Sequence, residues 1–123
     1  LGIGSDNLHK VPVDSEYRIN IQALEERIRE DRANGLEPFC VVVNAGTVNT
    51  GSFDDLEALA DLCYREDLWL HVDGAFGAWA AIVPELRHFV GGLERADSVA
   101  FDLHKWMYMP YDVGCVLFRR QSD

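Results

Sequence analysis

An aspartate closes one apolar run, in His71-Val72-Asp73-Gly74-Ala75, and a lysine follows the next, in His104-Lys105-Trp106. A lysine amine can join an aldehyde as a Schiff base, and a carboxylate can keep a pyridine nitrogen protonated so that carbanion electrons drain into the ring. Together they are the protein groups needed to run pyridoxal 5'-phosphate as an electron sink. Each residue also has a plainer reading. Asp73 could be a loop or helix-capping carboxylate, and Lys105 an ordinary lysine with its ammonium in water. Position favours chemistry. A carboxylate at the end of an apolar strand is costly without a charge-assisted partner. Phe101, Leu103, Trp106, Met107 and Tyr108 surround Lys105 in sequence with apolar groups, which favours the neutral, nucleophilic amine.

The elements that must carry these groups follow from periodicity. Asn20 is placed to cap a helix in which Ile21, Leu24 and Ile28 recur at helical spacing, Glu25 and Arg29 pair one turn apart, and Asn34-Gly35 supplies the stop. The opposite, Glu- and Arg-rich face reads as solvated. Residues 39–43 form a continuous apolar run, the pattern of a parallel strand covered on both faces. Asp54 with Glu57 reads as a capping-box variant opening a second helix, whose stripe is Leu56, Leu59, Ala60, Leu62 and Cys63. Strands are predicted over 68–72, 98–101 and 113–118, with a short helix within 84–93 that ends at Gly91-Gly92. Residues 2–18 read as loop with a short strand. This alternation predicts an α/β fold with a mostly parallel sheet, flanking helices and right-handed crossovers.

In such sheets ligands bind beyond the carboxyl ends of the strands. Gly46-Thr47, Asp73 and His104-Lys105 all fall there, and neighbouring strands lie only about 4.8 Å apart, so the three groups can converge on one small molecule. Gly46-Thr47 suits a simple turn or an anionic ligand equally. His104 suits a hydrogen-bonded core position, or a phosphate or substrate contact. A rival constellation turns the same residues to metal binding: His71 and Asp73 share a strand face, as do Asp102 and His104, giving the N and O ligands of a metal-dependent hydrolase. That arrangement leaves Lys105 idle.

Composition narrows the field. The 123 residues are 48% hydrophobic with a net charge of −10, enough apolar content for a core but the wrong sign for nonspecific binding to nucleic acid or an anionic membrane. No apolar run approaches the roughly 18 residues of a membrane span, and nothing resembles a signal peptide. Cys40, Cys63 and Cys115 read as small buried hydrophobes in a protein of the reducing cytoplasm. The start at Leu1 and the stop directly after a strand-like run suggest a piece of a longer chain.

Taken together, Asn44-Ala45-Gly46-Thr47-Val48-Asn49-Thr50-Gly51-Ser52-Phe53-Asp54, Leu68-Trp69-Leu70-His71-Val72-Asp73-Gly74-Ala75, Ala96-Asp97-Ser98 and His104-Lys105-Trp106 resemble the cofactor core of the pyridoxal-phosphate-dependent group II amino acid decarboxylases. The resemblance implies that residues 1–123 are the central part of a fold-type-I, aminotransferase-like large domain. It implies Lys105 as the Schiff-base lysine, Asp73 at the pyridinium nitrogen, Ala75 on one ring face, Thr47 as a nearby hydroxyl, and His104 by the phosphate or the substrate. The implied reaction is loss of CO₂ from an L-amino acid in a homodimer; carbon–carbon lyases and aldehyde-forming relatives share the same lysine and aspartate. Two positions depart from the family: Val48 stands where many relatives have a second threonine, and Asp102 where animal and plant relatives often have asparagine. Asp102, an anion that would repel a phosphate, is kept out of the expected site. The upstream phosphate loop, the second ring-stacking residue, the mobile catalytic loop and the small C-terminal domain have no counterpart in this stretch, so by itself it is expected to have little or no activity. A non-catalytic role in sheet packing is the remaining alternative.

Overall fold

The fold was analysed in a computed structural model, which describes residues 3–120; the chain ends at Leu1, Gly2 and 121–123 lie outside it. Its elements are α1 (Ile21–Ala33), β1 (Cys40–Asn44), α2 (Leu56–Arg65), β2 (Trp69–Asp73), β3 (Ser98–Asp102) and β4 (Gly114–Phe118), with 3-10 turns at Gly77–Ile82, Arg87–Val90 and Leu93–Arg95. The four strands form one sheet in chain order; β1, β2 and β3 run parallel and β4 returns antiparallel to β3. The mostly parallel sheet read from the sequence is thus present, with flanking helices. The predicted helix within 84–93 is instead the two shorter 3-10 turns, separated by Gly91 and by Gly92 at φ +90°.

The core lies on one side of the sheet. Leu56, Leu59 and Leu62 of α2 meet Val43, Leu70 and Val72 of β1 and β2, all nearly inaccessible, and each such side chain stabilises the fold by about 1.5–3 kcal/mol. Val42, on the other face of β1, is 58% exposed. The expectation that both faces are covered therefore does not hold among the described residues; a continuous apolar run cannot tell which of its faces finds a partner.

Local expectations divide according to where the partner sits. Asn20 caps α1, its side chain accepting from the Ala23 N–H, and Asn34 ends the helix. Glu25, however, reaches across to Arg65 of α2 at 2.6 Å rather than along its own helix to Arg29. Asp31, which continues the stripe of Leu24 and Ile28, is buried against His9 at 2.6 Å and Arg27 at 3.0 Å. The cap of α2 is Asp55, which accepts from the Ala58 N–H. Asp54 turns elsewhere, and its two carboxylate oxygens accept from the Ile19 and Asn44 N–H groups, each at 2.7 Å. That tie fixes the segment before α1 to the carboxyl end of β1.

The cysteines are free, but only Cys63 is buried; Cys40 is half-buried and Cys115 exposed. The apolar run around Cys115 is β4, whose residues are all exposed, so the reading of three buried thiols is corrected for that one. Burial, with smaller contributions from Cys40 and Asp97, pushes the Cys63 thiol up to about 12. Near pH 8 only about one Cys63 in ten thousand is thiolate, so iodoacetamide should leave it unmodified in the folded protein and label it after denaturation. Between the ordinary thiol range and about 12 the folded state holds this proton more tightly than the unfolded chain does. Stability from this group is therefore complete below about pH 9 and falls as pH rises through that window.

Candidate active site

Asn44, Asp73 and Ala100 are in register across β1, β2 and β3, so they form one row at the carboxyl edge. Thr47, the turn after Asp73 and the 102–105 segment all leave the sheet beyond that row. Asp73 is the last residue of β2 rather than the first beyond it. Its side chain is exposed, and Oδ1 accepts from the Ala75 N–H at 3.1 Å. Among the described residues no cation is paired with this carboxylate, which leaves it open to a cationic ligand group.

The turn after Asp73 is pressed against both neighbours. The Gly74 N–H donates to the Ala100 carbonyl at 2.8 Å, and the Gly77 N–H to the Ala45 carbonyl at 2.9 Å. A Cβ on Gly77 would stand 2.5 Å from that same carbonyl oxygen and 2.6 Å from the Phe53 ring. Opposite it Gly46 takes φ +77°, a conformation suited to glycine. Gly77→Ala should therefore lower the unfolding free energy by about 3 kcal/mol, read as a fall in Tm of the complete protein; an unchanged Tm would show that the two turns are not locked together.

Lys105 lies in the segment after β3. Its Nζ is 2.6 Å from the Asp102 carboxylate and 4.2 Å from the centroid of Phe76, a cation–π distance. Phe76 belongs to the turn that begins at Asp73, so the lysine amine is drawn to the turn that carries the aspartate. The polar partner Asp102 differs from the apolar setting read from the sequence, because Trp106, Met107 and Tyr108 are exposed. Trp79 fixes the base of this segment: its Nε1–H donates to the Asp102 carbonyl at 2.9 Å, and its ring meets Phe101 edge-on.

His104 is nearly buried, with Nδ1 3.0 Å from both the N and the O of Val113 and its ring 4.3 Å from that of Tyr111. Its Nε2 is 3.8 Å from Asp102. Thr47 serves its own turn, with its hydroxyl 2.5 Å from that of Thr50 and accepting from the Ser52 N–H. Ala75 is half-buried beside Phe76. The structure thus brings Lys105, Asp73 and Ala75 to one edge, with His104 packed behind Lys105 and Thr47 on the far side of β2. Sequence reasoning missed Asp102, Phe76 and Trp79 as members of the site. Nothing local marked them: the segment from Asp102 to Lys105 is a strand end and a bend, where an acid three residues before a lysine carries no pairing rule.

The four residues of the metal alternative are not brought together among the described residues. His71 Nδ1 is 2.7 Å from the Ser98 hydroxyl, which also accepts from the Trp69 indole at 2.8 Å. No group of three or more His, Cys, Asp or Glu side chains among the described residues is arranged to hold a metal ion.

A lysine and an exposed aspartate thus stand at the carboxyl edge of a mostly parallel sheet with flanking helices. The chain belongs to the pyridoxal-dependent decarboxylase family, whose "Pyridoxal-dependent decarboxylase conserved domain" matches residues 2–123. It is similar to an aromatic-L-amino-acid decarboxylase of Bacillus atrophaeus, 48% identical over 122 residues, which are 99% of this chain and 25% of the relative. Its fold is similar to the crystal structure of mouse CSAD, with TM-score 0.96 and 38% identity over 99% of this chain and 26% of that one. It is similar as well to the structure of Oryza sativa TDC with PLP, with TM-score 0.89 and 33% identity over 96% of this chain and 25% of that one. The chain spans about a quarter of the length of the proteins it matches.

The residues present fit the family's cofactor. The Lys105 amine, over Phe76, and the Asp73 carboxylate, bonded to the Ala75 N–H, stand at the same edge beside the small residues Gly74 and Ala75. They match the two chemically distinct ends of pyridoxal phosphate, its aldehyde and its ring nitrogen.

Proposed function

We propose that this chain is the cofactor-binding core of an enzyme that removes the carboxyl group from an L-amino acid. The observation that carries the reading is the Lys105 amine lying over Phe76, in the turn that begins at Asp73. When bound, pyridoxal phosphate supplies an aldehyde for an amine to join and a cationic ring into which the electrons of the broken Cα–carboxylate bond drain. The chain's own residues do the rest. Lys105 holds the aldehyde end and gives it up to the substrate amine. Asp73, as a carboxylate, holds the proton on the ring nitrogen. Ala75 presents a methyl group, small enough to lie flat against a ring. His104, immobilised by Val113 and Tyr111, has Nε2 left for a phosphate or substrate contact, and Thr47 lends a hydroxyl at the far side.

The name of the Bacillus relative supports an aromatic L-amino acid as substrate. We place the complete protein in the cytoplasm, which three free cysteines support, and as a homodimer. The test is to load the complete protein with pyridoxal phosphate, reduce with borohydride and map the labelled peptide, then assay CO₂ release from a panel of L-amino acids. Label at Lys105 and CO₂ from one of them are expected; label on another lysine would remove the assignment.

A further inference from the structure

The Asp102–Lys105 contact is not accounted for by the roles above. The backbone of Asp102 is held by two neighbours, its carbonyl accepting from Trp79 and its strand position pairing with Gly114 of β4, and its Oδ1 lies over Gly114, where a Cβ would stand 3.0 Å away. The other titratable group facing it is His104, whose Nε2 is 3.8 Å away, with Asp112 beyond on the Nδ1 side. The aspartate is thus carried on a fixed backbone, and the long lysine side chain comes to its carboxylate at 2.6 Å.

We propose that Asp102 is a positioning residue that holds the free Lys105 amine as a paired ammonium, so that the cofactor aldehyde is captured in exchange for this ion pair. The inference rests on Lys105 being the cofactor lysine. Attack on an aldehyde carbon needs the nitrogen lone pair, so the ammonium must first lose a proton, and Asp102 is the base in contact with it. The C=N bond then replaces C=O, the two hydrogens left on nitrogen depart with the aldehyde oxygen as water, and the proton on Asp102 is available for return. Because the pair exists only while the amine is free, it stabilises the empty protein relative to the loaded one and weakens cofactor retention.

The chain has two lysines, Lys10 and Lys105, and Lys10 is exposed, which gives an internal reference. In the complete protein stripped of cofactor, Lys105 should be acylated by an amine-selective reagent about five- to tenfold faster, relative to Lys10, in D102N than in wild type. D102E, which keeps the charge, should restore slow labelling. Capture of pyridoxal, which lacks the phosphate, should speed up in D102N by a similar factor. Unchanged labelling of Lys105 in D102N overturns the proposal. So does a gain confined to pyridoxal phosphate, which would mean that Asp102 acts only by repelling the phosphate. Should D102N not fold, D102S decides by the same reading: faster labelling of Lys105 relative to Lys10 supports the ion pair, and unchanged labelling overturns it. Borohydride mapping of the same wild-type protein after reloading with pyridoxal phosphate keeps the two readings apart, since label at Lys105 with unchanged acylation rates in D102N defeats only the role of Asp102.

Discussion

Lys105→Ala in the complete protein should lower kcat/KM for decarboxylation on the order of 10⁴-fold, as removal of a covalent catalytic group does in other enzymes. The same variant should bind pyridoxal phosphate without the absorbance of a lysine-linked cofactor and give no labelled peptide after borohydride. Folding should survive. The side chains of Lys105 and Asp102 are about a quarter exposed, and breaking a pair in contact with water costs little, about 1 kcal/mol. Retention of activity within a few-fold of wild type would end the catalytic assignment, because a lysine serving only its ion pair leaves the chemistry untouched.

Asp73→Asn should be nearly as damaging, by a different route. The amide has the same shape and can still accept the Ala75 N–H bond at 3.1 Å, so the turn that begins there should persist. What disappears is the negative charge that keeps a proton on a ring nitrogen. Removal of one charge-stabilising group costs about 10²–10³-fold in kcat, and that fall is expected here, with Tm almost unchanged and cofactor affinity reduced by about tenfold. A Tm collapse with normal specific activity in the remaining folded protein would show Asp73 to be a structural turn residue only.

The strands and the edge were legible because they are written in contiguous residues. The runs around Val41, Leu70 and Val99 announce strands, the helical stripe of α2 announces its buried face, and strand ends in a parallel sheet announce where ligands go. Asp73, Ala75 and Lys105 could be picked out from such local cues together with the family resemblance. What could not be read depends on partners distant in the chain. Asp54 and Asp55 are adjacent acids, either of which could cap α2, and the choice is made by Ile19, 35 residues away. Glu25 prefers Arg65, 40 residues distant, over a neighbour one helical turn along. Cys115 lies in a run as apolar as that of Cys40, yet only the packing of the strands distinguishes the exposed thiol from the half-buried one.

Asp102 teaches a different lesson. A carboxylate near an anionic cofactor was set aside on repulsion, a long-range argument. At 2.6 Å it is paired with Lys105, a short-range attraction that grows as separation shrinks.

The antiparallel return of β4 makes the sheet a ruler for the histidine beside the lysine. Pairing of Asp102 with Gly114 places Val113 one step beyond the last ladder rung, where its backbone meets the His104 ring. A slip of β4 by a single residue would turn every side chain of that strand over and carry Val113 out of reach. An insertion inside the 114–118 run would therefore unseat an imidazole in a part of the molecule that the inserted residue never touches.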